Sequence, residues 1–222
     1  MVSEPHSVTL FGIRSPLVVE YEESLHRCGI AIAAAVSVEG APRVMDPAPV
    51  VELARFAPQG AAPFLACAFT PARRRALAEQ AGALGLVPAP ALVDPHAVLA
   101  RSVRAGEASF VNAGAIIGAL SLLGQGVLVN RAASIGHHAM IGDFTSIGPG
   151  AVLAGNIHVG AGCMIGAGAV ILPDLRIGAG CIIAAGSLVR EDVPDGAFVA
   201  GSPARARVFD PARSALNIEG AE

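Results

Sequence analysis

Counting in steps of six from Val93 gives Leu99, Ala105, Val111, Ile117, Leu123, Val129, Ile135, Ile141, Ile147, Leu153, Val159, Ile165, Ile171, Ile177, Ile183 and Val189, seventeen residues of which sixteen are Ile, Leu or Val. Only 30 such residues occur in the 97 positions of this window, so an arbitrary phase would catch about five of the seventeen. The frame never slips. A helix repeats its apolar face every 3.6 residues and a half-buried strand every two, so neither produces a period of six. A succession of very short strands does, each ended by a turn and each burying one aliphatic side chain as the chain winds into a coil. Such a side chain contributes roughly 1.5–3 kcal/mol when fully buried. That is too little to hold one turn of coil against its conformational entropy, so the fold is stable only as a stack. The expected fold class over this stretch is a parallel β-helix forming one domain.

Two further registers accompany the aliphatic one. The residue after each aliphatic is Gly nine times, Asn twice (Asn112 and Asn130) and Asp once (Asp94). These types tolerate positive φ, so a left-handed turn residue is expected at that place. Four places after the aliphatic, fifteen of seventeen residues are Ala, Ser, Thr, Cys or Val, and only Ile157 and Leu175 are larger. An inner corner without room for bulk accounts for this.

Residues 1–88 have another texture. Apolar stretches at 8–11, 30–38 and 63–69 alternate with segments bearing helix start signals, the pattern of a small α/β, Rossmann-like module. Ser15-Pro16 opens a helix over 17–28 that stops at Gly29, and Thr70-Pro71 opens another over 72–81 that stops at Gly82. In the second, Arg73, Arg74 and Arg75 are expected on a solvated face, with a phosphate contact as the alternative. The organisation is then an N-terminal α/β module at 1–88, to which the resemblance described below assigns acceptor binding, the coil at 89–194, and an exit loop and tail at 195–222, frayed from Phe209 onward.

A net charge of −3 with 15% charged residues leaves no basic field for a nucleic-acid backbone, so no nucleic-acid partner is expected. Mean hydropathy is high, at +0.59. The longest apolar stretch, 113–129, is however broken by Gly114, Gly118, Gly124 and Gln125 and carries the six-residue period, so no membrane span is expected. The opening Met-Val-Ser-Glu-Pro-His has neither the basic start nor the apolar run of a secretory leader, which points to the cytoplasm. Cys28, Cys67, Cys163 and Cys181 form no C-x-x-C pair and are expected to be small buried fillers.

The hexapeptide pattern resembles the left-handed parallel β-helix of hexapeptide-repeat acyltransferases, in which three hexapeptides make one triangular coil; seventeen would give between five and six coils. The hand comes from that resemblance, since parallel crossovers are otherwise right-handed. Cys163 and Cys181, eighteen apart, would then stack at an inner corner of successive coils. After Val189 the phase fails at Asp195, and Gly201-Ser202-Pro203-Ala204-Arg205 looks like the exit loop of the same enzymes. The α/β module, the junction 88–118 and the run 127–143 resemble the group of sialic-acid O-acetyltransferases and nucleotide-amino-sugar N-acetyltransferases over nearly the whole chain. The resemblance implies an acetyl-CoA-dependent homotrimer without a metal, acylating an amine or hydroxyl of a small, sugar-type acceptor.

Asn130 and His137 fall on the site positions of that group, and His138 stands where its members carry an acidic residue. Acyl transfer from a thioester requires the acceptor to lose a proton as it attacks, and a neutral imidazole is an apt base near neutral pH. His137, two residues past Ile135 at an outer corner of the coil, is the candidate, at a seam between subunits where the family holds its coenzyme. His138 is an inert neighbour, a second base or the group that orients His137, and the sequence leaves all three open. The resemblance also implies coenzyme contacts at Gly155, Ala185 and Ser202, with the Gly155 N–H as donor to the developing oxyanion, and acceptor contacts at Gly12 and Arg14. His158 is expected to be a surface residue and Asp143 a turn residue.

Two departures stand out. Relatives follow the first strand with Gly-x-Gly-Gly-His, whereas Phe11-Gly12-Ile13-Arg14-Ser15-Pro16 keeps only the first glycine and adds a proline without an N–H, so a phosphate cradle is degraded or rebuilt around Arg14. A second histidine that some relatives carry nine residues after the base is Ser146 here. Two other functions compete. A zinc hydratase of the γ-carbonic-anhydrase kind needs a His-x4-His spacing that His96, His137, His138 and His158 do not supply. A non-catalytic trimeric scaffold needs no site at all.

Overall fold

The structure, a computed structural model, describes residues 7–47, 49–58 and 60–208; the opening hexapeptide and the tail from Phe209 lie outside the described residues. The chain begins with five parallel strands, β1 (Ser7–Phe11), β2 (Ala31–Ser37), β3 (Val50–Glu52), β4 (Pro63–Ala66) and β5 (Val87–Pro88), in the order β3-β2-β1-β4-β5. Leu10, Phe11, Val36, Phe64 and Leu65 are all buried, so β1, β2 and β4 are continuous apolar runs, as expected of a parallel sheet covered on both sides. Helix α1 (Val18–Cys28) joins β1 to β2, and α2 (Pro71–Ala83) joins β4 to β5.

Both helices follow their signals with one shift each. Ser15-Pro16 forms a turn ahead of α1, in which Ser15 accepts from Val18 N–H at its carbonyl and from Leu17 N–H at Oγ. The helix ends at Gly29 in the left-handed conformation, as expected. Helix α2 begins at Pro71 but runs through Gly82; the left-handed residue is Gly85, which lets the Leu86 N–H return to the Ala81 carbonyl and buries Leu86 under the helix. A glycine inside a helix costs about 1 kcal/mol, and burying Leu86 offsets it.

From Leu92 the chain forms seventeen two-residue strands, ending with Leu188–Val189, that stack in parallel at steps of eighteen residues into three sheets. The first face carries outward residues Leu92, Phe110, Leu128, Ser146, Met164 and Ile182; the second Val98, Ile116, Ser134, Val152, Val170 and Leu188; the third Arg104, Leu122, Met140, His158 and Arg176. Phe198–Ala200 extends the first face, and Arg205–Arg207 turns back antiparallel against it. The aliphatic register and the small register both point inward and form one core. Cys163 and Cys181 are free, buried fillers in it, and burial pushes the Cys163 thiol up to about 11. Where the inner corner holds a hydroxyl, it stitches coils together: Ser121 Oγ donates to the Gly136 carbonyl and accepts from Ala139 N–H, and Thr145 does the same with Gly160 and Cys163.

The turn chemistry differs from the expectation. Positive φ falls three residues after the aliphatic, at Ala108, Leu120, Ala132, His138, Phe144, Asn156 and Asp174 as well as at Gly114, Gly126, Gly150, Gly162, Gly168, Gly180 and Gly186. The glycines directly after the aliphatics, such as Gly118, Gly136 and Gly160, serve close approach instead. A Cβ on Gly160 would lie 2.5 Å from the Ala179 amide nitrogen of the next coil, and one on Gly118 2.6 Å from that of His137.

The α/β module covers the first face. Tyr21 of α1 packs on Phe110 with ring centroids 4.3 Å apart, and Leu25 and Leu128 complete the contact. The three arginines of α2 are not a solvated face. Arg74 is buried and donates to the carbonyls of Ala68, Phe69, Gly126 and Phe144 and to Ser146 Oγ, Arg73 pairs with Glu39, and the Arg75 guanidinium sits 5.1 Å over the Phe144 ring. Consecutive helical residues point about 100° apart, so three in a row cannot share one face.

Candidate functional site

The corner between the second and third faces is built from turns that stack every eighteen residues: Ala119-Leu120, His137-His138, Gly155-Asn156 and Pro173-Asp174. The His138 N–H donates to the Ala119 carbonyl, the Asn156 N–H to the His137 carbonyl, and the Asp174 N–H to the Gly155 carbonyl, so the histidine turn is fixed from both sides. His137 and His138 are both exposed. Their Nδ1 atoms are 2.9 Å apart and their rings meet edge to face at 89°. Gly155 lies against the His137 ring, where a Cβ would come within 2.8 Å of Nε2. Only a residue without a side chain leaves that ring its place. His137, His138 and Gly155 are therefore brought together, while Nε2 of His137 has no hydrogen-bond partner among the described residues.

Asn130 lies elsewhere, at the corner between the first and second faces, and is buried. It belongs to a ladder with Asp94 and Asn112, each of which accepts from a backbone N–H of its own turn; Asn112 Nδ2 also reaches Asn130 Oδ1 at 3.4 Å. Helix α1 docks along this ladder through Glu20, Ser24 and Arg27, one face of the helix. Glu20 takes Asn112 Nδ2 and pairs with Arg131, while Ser24 and Arg27 hold the Asp94 carboxylate at 2.6 and 2.7 Å. Burial alone would push the Asp94 carboxyl up, but the hydrogen bonds from Ser24, the His96 N–H and Arg27 outweigh it and hold it at about 2. Ala185 is exposed at the C-terminal end of the same corner. Ser202 sits in the exit turn, which is tied to that end by the Gly201 N–H on Ser187 Oγ and the Ala204 N–H on the Leu188 carbonyl.

Gly12 and Arg14 remain in the module. The left-handed Gly12 faces Leu77, whose side chain would stand 2.4 Å from a Cβ there, and its N–H is taken by the Val36 carbonyl. Arg14 pairs with Glu39, which also holds Arg73. Ser146 is buried on the first face, accepting from Arg74 and donating to the Phe69 carbonyl. Sequence reasoning missed Arg74 and Asp94, both hidden in interfaces that no local pattern marks. It also missed a shallow groove of about 830 Å³ on the third face, lined by Leu122, Met140, His158, Arg176 and Asp192. No group of three His, Cys, Asp or Glu side chains suited to a metal ion occurs among the described residues. No helix among them is long and apolar enough to cross a membrane.

Comparison with known proteins fits this geometry. Residues 156–191 match the bacterial transferase hexapeptide (six repeats) family model. Curated protein sequences give no match. Among solved structures, the acetyltransferase domain of PglB from Neisseria gonorrhoeae is 30% identical, with a TM-score of 0.80 over 91% of this chain and 100% of that one, and has also been solved with acetyl coenzyme A. Perosamine N-acetyltransferase from Caulobacter crescentus, solved as a mutant with CoA and GDP-perosamine, is 29% identical, with a TM-score of 0.78 over 94% of this chain and 99% of that one. WeeI from Acinetobacter baumannii, 24% identical with a TM-score of 0.73 over 90% of this chain and 100% of that one, shares the fold. With its seventeen-strand coil, its α/β module docked on one face and these likenesses along almost its full length, the chain belongs to the hexapeptide-repeat acyltransferases.

Proposed function

We propose that this protein transfers the acetyl group of acetyl-CoA to the amine of a small amino-sugar acceptor, with His137 as general base at a seam between subunits of a homotrimer. The observation that carries the reading is the His137 turn, exposed and fixed between two coils with Gly155 cleared against its ring. The imidazole takes the proton that the acceptor nitrogen loses as it attacks the thioester carbonyl. It returns that proton to sulfur when the C–S bond breaks, releasing free CoA thiol. The Gly155 N–H is the nominated donor to the carbonyl oxygen as it becomes negative. The coenzyme class is that of the PglB and perosamine enzymes, and the amino-sugar class that of the perosamine enzyme. A CoA thioester as co-substrate agrees with the cytoplasm.

The positions of the remaining candidates support the trimer. Asn130, Ala185 and Ser202 belong to one corner and His137 and His138 to the next, separated by the second face, on which Val98 and Ile116 are 63% and 53% exposed. Large apolar residues at that exposure support covering of this face by another subunit. A threefold arrangement brings one subunit's first-to-second corner beside its neighbour's histidine corner and completes the site, with Asn130 shaping the turn from within.

The test is acceptor-dependent release of CoA thiol from acetyl-CoA. His137→Ala is expected to lower kcat by about 10²–10⁴-fold with the oligomer intact, and full activity in that variant overturns the base assignment. The acceptor panel compares free with nucleotide-linked amino sugars, because Leu77 fills the space at Gly12 and Glu39 already holds Arg14 and Arg73. A non-catalytic scaffold, the competing reading, predicts no thiol release with any acceptor.

A further inference from the structure

We infer that His138 is a positioning residue that sets the proton arrangement of His137, so that the chain works with a pair of imidazoles. The inference rests on the proposed role of His137 as base. An Nδ1-to-Nδ1 contact of 2.9 Å is a hydrogen bond only if one of the two nitrogens carries hydrogen and the other presents its lone pair. For His137 to accept a proton at Nε2, it must carry its own hydrogen at Nδ1, and His138 must then be the acceptor, protonated at Nε2. The bond made by one ring nitrogen fixes which form the other takes. When Nε2 of His137 gains the acceptor's proton, the contact survives and the new imidazolium still donates to His138. Hydrogen on both Nδ1 atoms at once would break the contact.

Within one chain, the surroundings leave this pair to itself. The stacked turns on either side hold Ala119 and Leu120, and Gly155 and Asn156, none of them titratable; the flanking strands contribute Ser134 and Met140. The charged residues of the corner, Arg101 and Asp174, lie two coils away in opposite directions, and Asp174 is engaged by Asn156 Nδ2 at 2.7 Å. His138 also holds a left-handed conformation at φ 56, which a non-glycine side chain enters at a cost. Ala108 and Ala132 occupy the equivalent turn place of other coils, so alanine is compatible with the fold there.

Three variants test the pairing, read by kcat, KM for acetyl-CoA, the pH profile of kcat/KM and ¹⁵N spectra of labelled histidines. His138→Ala is expected to fold and trimerise normally and to lose about 10- to 100-fold in kcat with KM unchanged. In the wild type above pH 8, His137 is expected to carry its hydrogen at Nδ1, an arrangement lost in His138→Ala. His138→Asp puts an acceptor oxygen at the same place along the side chain and tolerates the left-handed turn. It is expected to keep most activity while the acid limb of the profile moves to higher pH, because a carboxylate stabilises the imidazolium as a neutral ring does not. Wild-type kcat and pH profile in His138→Ala, or hydrogen at Nε2 of His137 in the wild type, overturns the inference. If His137→Ala is inactive while His138→Ala is normal, only this inference fails. If His137→Ala is fully active, the base assignment fails with it.

Discussion

Glycine occupies two unlike places in each coil, and composition alone does not tell them apart. Both a left-handed backbone and a close approach of neighbouring chains select it, and a sequence records the residue without the reason. The positive φ is carried at the tip of the turn, where Ala, Leu, His, Phe, Asn and Asp are also accepted, while glycine recurs one residue after the aliphatic because the next coil's backbone leaves no room for Cβ. The two kinds should differ in cost. Gly160→Ala meets backbone at 2.5 Å and should lose roughly 2–3 kcal/mol. Gly162→Ala meets nothing within 4 Å and should lose only about 1, the price of its left-handed φ. Urea midpoints of the two variants check this, and equal midpoints would contradict the assignment. The place of His137 at an outer corner was legible because its register along the coil could be counted from Val93; its proposed role came from the resemblance. Its contact with His138 was not, since no pattern specifies how two adjacent rings at a turn face each other.

At the level of helices and sheets, the period exposed the coil, and Pro71 and Gly29 marked helix ends, but how the module sits on the coil depended on single long-range contacts. Asp94 joins α1 to the first coil across 70 residues of sequence, and nothing around it distinguishes that aspartate from a turn residue. Its carboxyl is held at about 2 against an ordinary 3.8. A carboxyl held low stabilises the fold above its unfolded value, and that contribution, about 2 kcal/mol, is lost as pH falls from 4 towards 2. Thermal melts across that range should show the wild type losing stability that Asp94→Asn lacks throughout; parallel curves would remove Asp94 from the account. Arg74→Met removes donors from the buried carbonyls of Ala68, Phe69, Gly126 and Phe144 and should cost about 3–5 kcal/mol, read by chemical denaturation.

For the assembled protein, the test lies on the second face. Ile116→Glu should leave each chain folded but reduce the mass measured by light scattering from about three times 22.3 kDa towards one. Acetyl transfer should fall with it, although His137 is untouched. A trimer that survives this change packs through another surface. The stacking of coils has one more consequence. Any outward residue is addressed by two coordinates, a corner and a rung, and rungs are spaced by the distance between neighbouring strands, about 4.8 Å. Lengthening the chain by eighteen residues moves a group one rung along its corner, whereas six residues carry it round to the next corner. A site on such a frame can shift only in discrete jumps, so on the proposed assignment of His137 as base, variation in acceptor size is met by the module docked on the first face, and not by sliding the base.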